Sequence, residues 1–145
     1  MRYILIILAL LGVGASSLAL REHYRTYGDA PCDINERWDC GIVNHSPYAT
    51  FPSSNPHGIP VAVIGIAGYL LLGALAAKRA YRIMLILAAP ALAFSLYLAH
   101  IEKDVLGVWC LYCAISLGTI SLMTVLLVGT VLVNMVRPPV RNVSP

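Results

Sequence analysis

The sequence predicts an all-α membrane protein, a bundle of four transmembrane helices with an external loop cap between the first and second. Three observations predict it. Of the 145 residues 59% are hydrophobic and only 12% charged, with a mean hydropathy of +0.76, whereas soluble domains carry roughly 25% charged residues. Four stretches, Tyr3–Leu20, Gly58–Ala77, Ile83–Ala99 and Val105–Val136, contain no Asp, Glu, Lys or Arg. Each is long enough to cross a bilayer, which takes about 17–25 apolar residues in a helix. One long polar segment, residues 21–57, separates the first from the second. Helices at about 3–20, 58–77, 83–101 and 107–136 use the chain, 1–145, as a single membrane domain.

The first helix carries Gly12, Gly14, Ala15, Ser16 and Ser17, small residues that let helices approach closely. Arg2 and those small residues also resemble parts of a secretory signal peptide. The apolar run between them exceeds the usual signal core of about 7–15 residues, so it is read as a retained helix. The loop is rich in turn formers, and Pro47, Pro52 and Pro56 forbid a continuous helix there. Its cysteines and the apolar Tyr48, Phe51, Ile59 and Val61 favour an ordered cap over a disordered tract. The second helix has Gly65, Gly68 and Gly73 as a close-packing face, and Pro90 is expected to kink the third. A short basic turn, Lys78–Arg79–Arg82, makes the second and third antiparallel neighbours, and Glu102–Lys103–Asp104 turns the chain into the fourth.

Orientation follows from the basic residues. With the N-terminus inside, Arg2, Lys78, Arg79, Arg82, Arg137 and Arg141 lie in the cytoplasm, and Arg21, Arg25, Arg37 and Lys103 outside. All seven acidic residues then lie outside, as do the four cysteines, in an oxidising compartment where thiols pair. The net charge of +3 therefore reflects topology and gives no reason to expect nucleic-acid binding.

The cysteines carry the chemistry. Cys110-Leu-Tyr-Cys113 opens the last apolar run, and residues at i and i+3 share a helix face. A helix N-terminus favours a thiolate, the nucleophile of disulfide exchange. Cys113 lies about 4.5 Å deeper along the axis. A static disulfide or two packing cysteines are the plainer alternatives. Cys32 and Cys40 bracket a polar segment in the loop, where a structural staple is the plain reading. A four-cysteine zinc site fits poorly, because the loop pair lacks C-x-x-C spacing.

Taken together, two cysteines eight apart in the first external loop, Ser46 six residues after the second, and Trp109-Cys-x-x-Cys113 opening the fourth span resemble the vitamin K epoxide reductase family. The stretch Cys40-Gly-Ile-Val-Asn-His-Ser46, followed by Pro56-His-Gly-Ile-Pro60, is similar to the bacterial members. The resemblance implies that Cys32 and Cys40 are a loop shuttle, that Cys110 and Cys113 are the active-site pair, and that Ser46 sits near a quinone. The vertebrate enzymes place a quinone-binding tyrosine four residues after the second C-x-x-C cysteine, and here that position is Leu117. The family's quinone-contacting asparagine precedes the second span, where Asn55 is the nearest candidate. These departures point to ubiquinone or menaquinone. The fused thioredoxin-like domain of some bacterial members has no counterpart here, so the redox partner is expected to be a separate periplasmic, DsbA-like protein. DsbB-type oxidases share the chemistry but carry their C-x-x-C in the first external loop, the reverse of this order.

What the resemblance implies is a thiol–disulfide oxidoreductase of the bacterial inner membrane, with its active site on the periplasmic side, supporting disulfide bond formation. Electrons pass from the partner through Cys32/Cys40 and Cys110/Cys113 to a quinone, whose potential sets the direction; about 30 mV is worth 1.4 kcal/mol for this two-electron couple. A reductase whose main product is the quinol, and a non-enzymatic membrane protein stapled by disulfides, are the competing classes. Trp109 and Tyr112 are candidates for the quinone pocket, although aromatic residues are ordinary at membrane interfaces. His45 and His57 are candidate proton relays, with plain loop roles as the alternative, and His100 is expected beside Glu102 at the outer end of the third helix.

Overall fold

The computed structural model describes residues 1–136 apart from Tyr27, Ser54 and Pro56. The expected inside positions of Arg137 and Arg141 lie outside the described residues. The helices are α1 (Arg2–His23), a short α2 (Cys40–Asn44), α3 (Val61–Ala77), α4 (Tyr81–Ile101) and α5 (Leu111–Val136). A 3₁₀ turn over Pro47–Ala49 leads into a two-strand hairpin, β1 (Thr50–Phe51) and β2 (Ile59–Pro60), with Thr50 opposite Pro60 and Phe51 opposite Ile59. A π-helical turn, Glu102–Leu106, follows α4.

The long helices are apolar all round, as expected of helices surrounded by lipid on one side and by each other on the other. Outward-facing Ile7, Ile86 and Val125 are 64%, 70% and 68% exposed. Inward-facing Leu5, Ala9, Leu72, Met84, Ile120, Met123 and Leu127 form one core. α1 packs against α3 and α5, and α4 packs against α5. Three segments, α1, Tyr81–Leu106 and α5, are long and apolar enough to cross a membrane, while α3 is an apolar helix of 17 residues. Pro90 lies inside α4.

The turn from α3 to α4 closes as a Schellman motif. Arg79 takes a left-handed φ of 57°, and the amides of Arg79 and Ala80 reach back to the carbonyls of Ala76 and Leu75, satisfying the orphan groups of the helix end.

Two boundaries differ from the sequence expectation. α3 begins at Val61 rather than near Gly58, because Ile59 and Pro60 pair as a strand with Thr50 and Phe51. α5 begins at Leu111 rather than near Gly107. Gly107 is left-handed, with φ of 70°, and Trp109 pairs with Trp38 of the loop, so the chain stays extended up to Cys110.

The small residues divide in their roles. A Cβ on Gly12 would collide with the Tyr69 ring, one on Gly65 would lie 2.7 Å from Ser16 Oγ, and one on Gly73 would lie 3.3 Å from Ala9. Gly14 and Gly68 meet nothing within 4 Å and do not set the helix spacing. Gly12→Ala is therefore expected to lower stability by about 1–3 kcal/mol through overpacking. Melting of the detergent-solubilised protein checks this, with Gly14→Ala as an unaffected control.

Candidate active site

The site is built where the loop meets the start of α5. Cys32 and Cys40 form a disulfide, with Cα atoms 5.8 Å apart, and Cys110 and Cys113 are free. Cys32, Cys40 and Cys110 share one buried cluster with Val43 and Val108, and Cys113 packs against it. Pairs that lie 70 residues apart in sequence are thus brought side by side.

Backbone pairing fixes this register. The Trp109 amide donates to Arg37 O at 2.7 Å, and the Asp39 amide donates to Trp109 O at 3.1 Å. The segment ending in Cys40 is therefore tied to the residue before Cys110. Asp39 caps α2 by accepting the Ile42 amide at 2.8 Å, and Asp33 accepts the Gly41 amide at 3.1 Å. Such side-chain acceptors satisfy amides at a helix start that have no intrahelical partner. Gly41 fits between the two carboxylates, since a Cβ there would lie 3.3 Å from each.

Cys110 sits just before α5. Its sulfur accepts the Cys113 amide at 3.4 Å and lies 3.7 Å from Asn44 Nδ2, which also donates to Cys40 O at 2.8 Å. The Cys113 thiol, hydrogen-bonded to the Cys110 sulfur, pushes the Cys110 thiol below its ordinary range, against the opposing effects of burial and the Glu102 charge. Cys110 is thus poised as the thiolate of the pair. Glu102 is 4% exposed, and its Oε2 accepts the Cys110 amide at 3.0 Å.

Beside the sulfurs lies a cavity of about 430 Å³, bordered by α1, α3, α4, α5 and the loop. Pockets for small molecules commonly run from about 300 to 1,000 Å³. Its walls are largely apolar, with Ile64, Leu72, Leu87, Phe94 and Leu98, and carry polar groups from His23, Asn44, Ser46, Glu102 and Cys113. Ser46 donates its hydroxyl to Val43 O at 2.7 Å. Tyr69 donates to Ser116 O at 2.8 Å, which tethers α3 to α5 across the cavity.

Of the residues singled out from sequence, Ser46, Trp109, Tyr112, Cys113 and Leu117 all line this cavity. Asn55 does not: it accepts the His57 amide in the exposed hairpin loop, among the described residues there. The asparagine at the site is Asn44. His57 is likewise exposed and away from the cavity lining. His45 bonds to Gly41 O and Arg25 O, and the histidine on the cavity wall is His23, whose Nδ1 lies 2.6 Å from Asn44 O. His100 pairs with exposed Asp104 at 2.6 Å rather than with Glu102, which turns inward. Sequence reasoning missed Asn44, His23 and the inward Glu102. Asn44 carried one usable signal, its position one helical turn beyond Cys40.

Apolar helices able to cross a membrane, joined to a buried meeting of four cysteines, define a multi-pass membrane oxidoreductase. The chain matches the Vitamin K epoxide reductase family over residues 3–128, and it belongs to that family. No curated protein sequence matches it.

Proposed function

We propose that this chain is a quinone-dependent thiol–disulfide oxidoreductase with Cys32, Cys40, Cys110 and Cys113 as its redox residues. The observation that carries this reading is the position of Cys113, on the wall of an apolar cavity, while Cys110 is buried with the loop cysteines. One sulfur pair thereby faces two ways, toward the loop and toward a lipid-like pocket.

A thiol of a reduced, separate thioredoxin-fold protein of the DsbA type attacks the Cys32–Cys40 disulfide at Cys32. Released Cys40 attacks Cys110 of an oxidised Cys110–Cys113 pair, breaking that bond and freeing Cys113. The partner's second thiol then releases Cys32, which attacks Cys40 to re-form the loop disulfide and leaves Cys110 and Cys113 as a dithiol whose two electrons pass into the cavity. A quinone there accepts two electrons and two protons. The cavity fits such a head group in size and in its apolar walls, with Asn44, Ser46, Trp109 and Leu117 around it. Ubiquinone or menaquinone is the expected class.

The membrane arrangement is four spans, α3 included, since its 17 residues reach the lower bound for crossing. Both termini lie in the cytoplasm, the loop caps the outer mouth of the bundle, and the membrane is the bacterial inner membrane. Reporter fusions after Val136 should read cytoplasmic and fusions near Pro47 external. With purified protein, oxidation of a reduced thioredoxin-fold substrate should require added short-chain ubiquinone, one quinone per dithiol. Oxidation that proceeds equally without quinone, or an external C-terminus, contradicts the proposal.

A further inference from the structure

The buried carboxylate of Glu102 has no part in the relay of sulfurs, yet it is bonded to the first residue of the C-x-x-C pair and shares a cavity wall with the second. Its Oε2 accepts the Cys110 amide at 3.0 Å, and it lines the same cavity as Cys113. The neighbouring acids show that this placement is specific. Asp104 faces outward to His100, whereas Glu102 is 4% exposed. The π-helical turn is what directs it inward: the Glu102 carbonyl accepts the amides of Gly107 and Val108, and Gly107 is left-handed. Single π-helical turns recur at functional sites. A carboxylate taken out of water is costly to keep without a purpose or a partner.

We propose that Glu102 is a catalytic proton carrier that moves the Cys113 thiol proton into the cavity as the dithiol is oxidised. The proposal rests on the quinone-reducing reading above. Forming the Cys110–Cys113 bond breaks the Cys113 S–H bond and sends two electrons to the quinone. The Cys113 proton passes to Glu102 and on to a quinone oxygen, and the proton that Cys110 gives up on ionising supplies the second. Dithiol plus quinone gives disulfide plus quinol, and Glu102 ends as the carboxylate it began as. Its place on the cavity wall with Cys113, one hydrogen bond from the Cys110 amide, is where a general base for this thiol is required, since such a base must come within reach of the proton it takes.

The test uses full-length protein in detergent, pre-reduced and mixed with a short-chain ubiquinone, with quinone absorbance followed in a single turnover. Glu102→Gln keeps a carbonyl for the Cys110 amide but cannot carry the proton. Its quinone step should slow by about 100-fold, and Glu102→Asp should recover part of the rate. Exchange between the loop disulfide and a small dithiol, measured without quinone, should be unchanged in both variants. A Glu102→Gln rate within about three-fold of the parent, or an equal fall in the quinone-free exchange, overturns the proposal. If Glu102→Gln does not fold, the parent alone decides: its quinone step should be slower in D₂O than in H₂O, and equal rates overturn the role. Failure of the parent to reduce quinone at all is seen before any substitution is made and overturns the proposed function along with it.

Discussion

Cys113→Ala is expected to abolish quinone reduction, a fall of about 10⁴-fold or more, the scale seen when a reacting side chain is removed. The physical reason is position. Cys110 is buried among the loop cysteines, and of the two C-x-x-C sulfurs it is Cys113 that lines the cavity. Removing it leaves no sulfur on the cavity wall to give up electrons. Single-turnover absorbance of a short-chain ubiquinone measures the effect. Undiminished reduction by Cys113→Ala would mean that another group is the terminal donor.

Asp39→Pro is expected to uncouple the loop from the C-x-x-C pair while leaving that pair intact. Asp39 has φ of −137°, far from the value near −65° that proline imposes. The substitution also removes the amide that binds Trp109 O and the carboxylate that caps α2. A lost cap is worth about 1 kcal/mol, and the Trp109 carbonyl, left without its donor, loses a hydrogen bond worth about 0.5–1.5 kcal/mol more. The segment that holds Cys40 beside Cys110 then loses its register. Quinone-dependent oxidation of a thioredoxin-fold substrate should fall by about 100-fold, the penalty of misplacing reacting groups by about an ångström. Quinone reduction by chemically pre-reduced Cys110 and Cys113 should change little. Equal losses in both assays would show that the loop holds up the whole site and does not serve as a separate relay.

The helices and the cysteines were legible in the sequence because each depends on local facts. An uncharged apolar run forms a membrane-length helix whatever its neighbours, and C-x-x-C spacing keeps two sulfurs close together, although Cys110 lies just before α5 and not on a shared helix face with Cys113. The boundaries at Val61 and Leu111 were not legible, since both are set by pairing across the loop: Pro60 with Thr50, and Trp109 with Trp38. The cavity residues were less accessible still. Asn55 is the nearest asparagine before the second apolar run, but the asparagine that lines the cavity is Asn44, one turn after Cys40 on a helix of five residues. Glu102 read as part of a solvated external turn with Lys103 and Asp104. Only a π-helical turn ending at Gly107 separates its inward path from theirs, and that geometry has no sequence pattern as plain as an N-cap. His23 shows the same limit, since it lies in an ordinary last turn of α1 and meets the site through Asn44 O.

The most direct test of the relay is the disulfide map of purified Cys113→Ala without added reductant. Exchange runs through mixed disulfides formed by thiolate attack on sulfur. In this variant the Cys110 thiolate attacks Cys40 of the loop disulfide and expels Cys32, and no Cys113 thiol remains to break the Cys40–Cys110 bond. Mass spectrometry of nonreduced peptides should find a Cys40–Cys110 bridge with Cys32 free. Finding only the unchanged Cys32–Cys40 disulfide would contradict the relay and leave the loop pair as a structural staple.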